Sequence, residues 1–158
     1  MTLELLLAER EIQRLMIRYL DRIDARDFAG VAALFTDDAM ADFLTGRAYR
    51  GPERIAAALE RITAHFERTS HHLTNHIADV DLERGEAGAV TYVYAFHRMA
   101  ATGAAWHFWG RHVDHLRRLG DRWLIADRRL VGVDAEPVRD DVPRELFAGH
   151  GAAALERQ

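Results

Sequence analysis

The chain has 158 residues, of which 49% are hydrophobic and 29% charged, and its formal net charge is -4 at pH 7. This size and balance are typical of one globular domain and exclude a disordered, collagen-like or coiled-coil chain. The chain has no cysteine, which excludes disulfides, thiolate metal sites and thiol nucleophiles.

Acidic and basic residues are interspersed, so the sequence lacks the basic patch that is typical of nucleic-acid binding. Arg128 and Arg129 stand beside acids, which is typical of a solvated or ion-paired strand end. The apolar stretch from Leu5 to Leu7 is too short for a signal peptide or a membrane span. We therefore expect a cytoplasmic protein with no nucleic-acid or membrane partner.

The first predicted element is an amphipathic helix over residues 4–25. Its apolar residues recur with helical spacing: Ile12, Leu15, Met16, Tyr19, Leu20 and Ile23. A second, short helix is predicted after Asp27, a candidate N-cap, with Phe35 on its apolar face.

Two short strands, at residues 39–43 and around Tyr49, are predicted before a third helix. That helix begins at Gly51-Pro52 and buries a stripe that ends at Phe66. The spacing then changes to that of strands, which are predicted at residues 71–82, 88–100, 105–118 and 123–134.

Helices followed by an antiparallel meander predict an α+β fold, with the helices packed on one face of the sheet. The predicted domain covers residues 1–135, and residues 136–158 form a tail that is partly helical or flexible. In the strand around Tyr94, both alternating sets of side chains include large apolar residues. Because both faces of such a sheet must be covered, we expect a curved sheet over a pocket and a homodimer or larger oligomer.

Three titratable residues lie within apolar periodic segments, where they must be paired or used. Tyr19 is in the stripe of the first helix, and Asp24 is at its edge. His71 is expected on the same strand face as Asn75 and Ile77. An Asp that holds a His in one tautomer frees the other ring nitrogen to take a proton from a substrate.

Each of these residues also has a structural interpretation. Tyr19 can be a core aromatic with a bonded hydroxyl, Asp24 can flank the helix end, and His71 can be a bonded strand-edge residue. The residue pattern alone leaves both interpretations open.

Three segments carry a resemblance to a known family: RYLDRIDARDFAGVAALFTDDA (18–39), RTSHHLTNHIADVD (68–81) and GRHVDHLRRLGDRWLIADRRLVGVD (110–134). Together they resemble the SnoaL-like family of the nuclear-transport-factor-2-like superfamily. The resemblance implies a cone-shaped α+β barrel, in which N-terminal helices pack on a strongly curved, mostly antiparallel sheet that encloses a pocket.

The superfamily includes scytalone dehydratase, bile-acid dehydratase and hexachlorocyclohexane dehydrochlorinase. The resemblance implies a catalytic dyad of Asp24 and His71, with Tyr19 as a dehydratase-like third member. It also places an arginine of the dehydrochlorinase near Arg118. The implied function is that of a lyase or isomerase, such as a dehydratase or polyketide cyclase, which needs no cofactor.

The expected substrate is a small apolar cyclic molecule that is polyketide-, terpenoid- or steroid-like, because the candidate pocket walls are aromatic. Those walls are Phe43, Tyr92, Tyr94, Phe96, Trp106, Phe108 and Trp109. The candidate substrate-binding residues are Phe43, Asn75, Tyr94, His97, Trp106, Phe108 and Arg118.

Seven histidines lie between residues 71 and 115, of which His107 and His112 are expected at the pocket. His72 and His76, expected on the strand face opposite His71, are a conceivable ligand pair, but no third ligand matches them, so we expect no metal. The alternative function is a non-catalytic ligand-binding or assembly domain with the same fold. Epoxide hydrolysis is disfavoured, because no Asp-Arg-Asp arrangement can be placed.

Overall fold

The structure, a computed structural model, describes residues 2–137. Its elements, in chain order, are α1 (Leu3–Asp24), α2 (Phe28–Ala32), β1 (Phe35–Asp42), β2 (Ala48–Arg50), α3 (Pro52–Thr63), β3 (Phe66–Asp81), β4 (Glu86–Met99), β5 (Ala105–Leu119) and β6 (Arg122–Pro137). The six strands form one open sheet in the order β2-β1-β6-β5-β4-β3. Among the described strands only β1 and β6 pair in parallel, so the expected α+β fold with a curved, mostly antiparallel sheet is confirmed.

Helix α1 begins and ends on identifiable local signals. The Thr2 side chain accepts a hydrogen bond from the backbone N–H of Leu5 at 3.2 Å, which satisfies one free donor of the first turn. After the helix ends at Asp24, Arg26 takes a left-handed backbone conformation with φ of 60° and turns the chain. Asp27 then caps α2, as expected, by accepting from the N–H of Gly30 at 2.9 Å.

Two aromatic residues belong to other elements than the sequence predicts. Phe35, expected in the second helix, begins β1 and lies opposite Ile125 of β6. Phe66, expected in the third helix, begins β3 opposite Met99. In both cases pairing with a strand distant in sequence overrides the local helical spacing.

The core lies between the helices and one face of the sheet, which we call the inner face. On β4 this face carries small residues such as Ala89 and Val93, whereas Tyr92, Tyr94 and Phe96 lie on the opposite, outer face. The expectation that these three aromatic residues line the pocket is therefore wrong. The inner set of β4, which also includes Thr91, His97 and Met99, is buried in the core, and strand alternation therefore directs the three aromatic side chains outward.

A bulge in β3 reverses the predicted orientation of half of that strand. The register with β4 shifts between Leu73 and His76, so His76 joins the inner face and bonds Thr91 at 2.8 Å. Asn75 and Ile77 are exposed instead. The expectation that both of them share a face with His71 is thus corrected, because one extra residue inverts the alternation.

Strand β6 continues to Pro137, two residues past the predicted domain boundary. The rest of the predicted tail, residues 138–158, lies outside the described residues. Within residues 2–137, none of the helices combines the length and the apolar character that crossing a membrane requires.

Candidate active site

An apolar cavity of about 120 Å³ lies between the helices and the inner face of the sheet. Its lining residues come from α1, the β1–β2 connection, α3 and the four long strands: Tyr19, Leu20, Ile23, Phe43, Leu44, Leu59, Ile62, Thr63, Phe66, His71, Val93, His97, Trp106, Phe108, His112 and Leu130. Among these described residues histidine is the only basic residue type, and none is an aspartate or a glutamate. The cavity therefore suits a small, neutral and mostly apolar ligand.

Asp24 and His71 meet at this cavity. Asp24 Oδ1 lies 2.6 Å from His71 Nδ1, and Oδ2 accepts the backbone N–H of His71 at 2.8 Å. The Thr69 hydroxyl also donates to Oδ1, at 2.7 Å. The carboxylate is thus held by three hydrogen bonds and fixes the imidazole ring in one plane.

Arg26 explains why the end of α1 meets the start of β3. Its guanidinium donates to the Thr69 hydroxyl at 3.1 Å and to the Phe66 carbonyl at 3.0 Å. A further hydrogen bond goes back to the Ile23 carbonyl at 3.3 Å. Neither Arg26 nor Thr69 is singled out by the sequence, because their roles depend on contacts between residues 40 or more positions apart.

The surroundings of Asp24 define the protonation of its carboxyl group. Partial burial works to raise the pKa of Asp24, but the hydrogen bonds and charge of His71, with the Thr69 hydroxyl, outweigh it and lower that pKa to about 2. The carboxylate is therefore ionised at neutral pH and accepts a hydrogen bond from the Nδ1–H group of His71. That assignment leaves Nε2 of His71 as the basic nitrogen.

His97 lies beside the pair and is neutral. Its ring packs against Phe66 and Trp106, with centroids 4.4 Å and 4.5 Å away, and against the edge of His71 at 5.4 Å. Burial, followed by the charge of His71, lowers the pKa of His97 to about 3. Among the described residues its Nδ1 is buried without a hydrogen-bond partner.

A buried ion pair lies behind the cavity residue Tyr19, and its burial is not predicted by the sequence. Arg128, expected at a solvated or ion-paired strand end, has no exposed side-chain surface and bonds both oxygens of Asp114 at 2.7 Å. Its guanidinium carbon lies 3.9 Å from the ring centroid of Tyr19. Burial raises the pKa of Tyr19 although Arg128 opposes this, so the phenol is protonated at neutral pH.

His112 also lines the cavity, as expected. Its ring meets the Tyr19 ring edge-on, with centroids 5.5 Å apart. Burial, together with the positive charge of Arg128, holds the pKa of His112 well below its usual value.

Four of the seven candidate substrate-binding residues line the cavity: Phe43, His97, Trp106 and Phe108. Phe108 depends on Gly110, since a Cβ at Gly110 would lie 2.5 Å from two Phe108 ring carbons. The absence of a side chain at this position lets the Phe108 ring fold over the strand and form part of the cavity wall.

The other three candidates lie elsewhere. Asn75 is exposed beyond the β3 bulge, and Tyr94 lies on the outer face, where its hydroxyl is 2.6 Å from Nδ1 of His107. His107, expected at the pocket, is therefore on the outer face as well. Arg118 is exposed near the β5–β6 turn, 3.9 Å from Glu4. Strand alternation and the bulge direct these side chains away from the cavity.

Helices that cover one face of an open, curved and mostly antiparallel sheet around an apolar cavity define the nuclear-transport-factor-2-like class of α+β proteins. Within that class, the sequence profile of the SnoaL-like domain matches residues 4–129, and the chain belongs to the SnoaL-like family. No curated protein sequence matches the chain significantly.

Several solved structures have the same fold. A scytalone dehydratase candidate from Novosphingobium aromaticivorans is 26% identical with a TM-score of 0.77, over 85% of this chain and 89% of that one. A type 2 hexachlorocyclohexane dehydrochlorinase, LinA, is 18% identical with a TM-score of 0.79, over 87% and 93% of the two chains. ActVI-ORFA from Streptomyces coelicolor is 24% identical with a TM-score of 0.68, over 78% and 96%.

Proposed function

We propose that this protein is a cofactor-independent lyase or isomerase, in which His71 is the general base and Asp24 orients it. The observation that carries the proposal is the 2.6 Å contact between Asp24 Oδ1 and His71 Nδ1 at the wall of an apolar cavity. Family membership and the similarity to proteins named as a dehydratase and a dehydrochlorinase support an elimination reaction.

Dehydration of a β-hydroxy ketone illustrates the chemistry. Nε2 of His71 takes a proton from the carbon next to the carbonyl, and the C–H electron pair forms the new C=C bond. The bond from the neighbouring carbon to its hydroxyl breaks, and the hydroxyl leaves as water after it receives a proton. In an isomerisation, the imidazolium of His71 returns its proton to another carbon. The Asp24 carboxylate stabilises that imidazolium in both reactions.

Two further residues assist in this scheme. The protonated hydroxyl of Tyr19, above Arg128, donates a proton or a hydrogen bond to the leaving oxygen. Neutral His97 donates a hydrogen bond to the carbonyl oxygen, where negative charge develops. The low pKa of His97 favours this role, because a ring that stays neutral does not compete with His71 for the substrate proton.

The cavity limits the size of the substrate. Its volume of about 120 Å³ is close to that of an engineered cavity of about 150 Å³ that binds benzene. A single six-membered ring with one or two oxygen substituents is therefore the best match. Among the apolar cyclic molecules expected from the sequence, monocyclic ones fit this volume and steroid-like ones exceed it.

The test uses racemic 3-hydroxycyclohexanone as the probe, with its conversion to cyclohex-2-enone and water followed by the ultraviolet absorbance of the enone. We expect turnover by the unmodified protein and a loss of about 10²- to 10⁴-fold in His71→Gln, since a general base contributes this much. Asp24→Asn is expected to lower turnover in the same direction. The matched controls His72→Gln and Asp21→Asn change exposed neighbours and are expected to keep full activity.

Full activity in either dyad variant, with folding verified by circular dichroism, contradicts the assigned roles. If the unmodified protein binds the probe in calorimetry but neither converts it nor exchanges its C2 hydrogens with deuterium from solvent, the non-catalytic ligand-binding function replaces the proposal.

A further inference from the structure

The Asp24 carboxylate is joined to a second pair of side chains besides His71, which we call the Arg26–Thr69 arm. The Arg26 guanidinium donates to the Thr69 hydroxyl at 3.1 Å, and that hydroxyl donates to Asp24 Oδ1 at 2.7 Å. The same Oδ1 atom lies 2.6 Å from Nδ1 of His71. Three consecutive contacts therefore connect a guanidinium to the candidate base.

Donor chemistry fixes the direction of the hydrogen bonds in this arm. A guanidinium has donors only, so the Thr69 oxygen accepts from Arg26. The single hydroxyl hydrogen of Thr69 then points at Asp24 Oδ1, which as a carboxylate oxygen accepts. Hydrogen bonds that are aligned in a chain polarise one another. The arm therefore draws electron density away from the oxygen that binds His71.

Arg26 is itself held in place at the end of α1. Its backbone is left-handed, with φ of 60°, which is uncommon for a residue with a long side chain. Its N–H donates to the Ile23 carbonyl at 3.1 Å, and its guanidinium donates to the same oxygen at 3.3 Å. A further bond of 3.0 Å goes to the Phe66 carbonyl at the start of β3. These contacts fix the guanidinium against β3, beside Thr69.

Titratable or charged groups lie around the dyad on several elements: Tyr19 and Asp24 of α1, Arg26 after it, His97 of β4, His112 of β5 and Arg128 of β6. Burial raises the pKa of Tyr19 and lowers the pKa values of His97 and His112, so these three groups are uncharged at neutral pH. The charge of Arg26 contributes to the low pKa of His97, so its electrostatic effect reaches the cavity.

The other cations near the dyad are paired or directed elsewhere. Arg128 is bonded to Asp114 at 2.7 Å. Arg68 and His72 are neighbours on β3, but they are exposed on the opposite face of the strand from His71. Among these described groups, the Arg26 guanidinium is thus the cation that is connected to the dyad through hydrogen bonds.

We propose that Arg26 is a positioning residue for the dyad: acting through Thr69, it fixes the Asp24 carboxylate and draws charge from the oxygen that His71 binds. The inference rests on the proposed function, in which Nε2 of His71 must be unprotonated to take a proton from the substrate. A carboxylate at 2.6 Å stabilises the imidazolium form of His71. The Arg26–Thr69 arm opposes that effect and keeps Nε2 available as a base at neutral pH.

This tuning role and a purely structural role predict opposite effects of the variant Thr69→Val. If the arm draws charge from Oδ1, its loss makes this oxygen more negative and stabilises the imidazolium of His71. The ring then titrates at a higher pH. If the arm only holds α1 against β3, its loss loosens the contact between Asp24 and His71. The ring then loses its counter-charge and titrates at a lower pH.

The test follows the titration of the His71 ring by ¹⁵N NMR in histidine-labelled protein, with His71→Gln to assign the signal. We expect the midpoint to rise by about one pH unit in Thr69→Val and in Arg26→Met, which is roughly the effect of one hydrogen bond to a charged group. Thr69→Ser keeps the hydroxyl and should keep the midpoint of the unmodified protein.

Arg22→Gln is the matched control, because it removes a guanidinium from the same end of α1 that bonds Asp27 instead, at 2.8 Å. It should leave the midpoint unchanged. In the turnover assay with 3-hydroxycyclohexanone, the acid limb of kcat/KM should move to higher pH by the same amount as the midpoint in Thr69→Val and Arg26→Met.

An unchanged or lowered midpoint in Thr69→Val overturns the inference, as does an equal rise in Thr69→Ser. A rise in Arg26→Met without one in Thr69→Val also overturns it, because the effect would then bypass the hydroxyl. If Arg26→Met does not fold, the two Thr69 variants give the same decision. Raised midpoints in a protein that does not convert the probe support the inference about the arm and count against the proposed function alone.

Discussion

Replacing Asp114 by asparagine is expected to be among the most destabilising single changes in this protein. The side chains of Asp114 and Arg128 have no exposed surface, and two hydrogen bonds of 2.7 Å join them. Asparagine keeps the shape but leaves the guanidinium buried without a counter-charge. Breaking a buried pair in this way costs about 3–5 kcal/mol, a large part of the roughly 5–15 kcal/mol that holds a domain folded.

The measurement is urea unfolding at pH 7, followed by circular dichroism at concentrations where the oligomeric state is constant. The expected loss corresponds to a fall of about 10 °C in Tm. The double variant Asp114→Leu with Arg128→Met removes both charges and should recover most of the loss, because apolar residues replace a buried pair at little cost.

The matched control is Glu4→Gln, which breaks the exposed contact with Arg118 and should change stability by less than about 0.5 kcal/mol. The reasoning is refuted if Asp114→Asn costs less than about 1 kcal/mol. The single variants Asp114→Leu and Arg128→Met complete the comparison. The reasoning is equally refuted if the double variant loses as much free energy of unfolding as these two single variants lose together, since the pair would then not be coupled.

Two further predictions concern pH and a glycine. Burial lowers the pKa of His97 to about 3, so below about pH 6.5 the unfolded chain binds a proton at this residue and the folded chain does not. The free energy of unfolding should therefore fall on acidification from pH 6.5 towards 3, by about 1.4 kcal/mol per pH unit for this group. His97→Phe should reduce the slope of unfolding free energy against pH by one proton, and an unchanged slope contradicts the assignment. Gly110→Ala should destabilise by about 1–3 kcal/mol, because its Cβ would lie 2.5 Å from Phe108 and 2.8 Å from the Val131 carbonyl oxygen. Gly132→Ala, whose Cβ would lie an ordinary 3.5 Å from the same ring, is the control in the same urea assay, and equal stabilities of the two variants would show that the clash is relieved.

Helical spacing and turn residues determine most of the secondary structure of this chain. Helix α1, the Asp27 cap and the four long strands follow from local pattern, because each depends on neighbours within a few positions. Resemblance in sequence then singles out Asp24 and His71, and the structure brings them to 2.6 Å. Their catalytic role stays a prediction.

The orientation of side chains on the sheet is less accessible from the sequence. In β4 both alternating sets are apolar, so local pattern does not distinguish the inner face from the outer one. Tertiary packing decides it, because the core buries the set that contains Ala89, Val93 and His97, which directs Tyr92 and Tyr94 outward.

The ion pair of Asp114 and Arg128 is a second contact that the local sequence pattern does not predict, because it depends on the register of β5 and β6. Leu119 pairs with Arg122 beside the β5–β6 turn, and continuing that count would place Asp114 opposite Asp127. A bulge after His115 shifts the register by one residue and places Asp114 opposite Arg128 instead. The sequence by itself therefore determined most of the secondary structure and the candidate dyad. Tertiary packing and two bulges decided which side chains face the cavity, since one extra residue reverses every side chain beyond it.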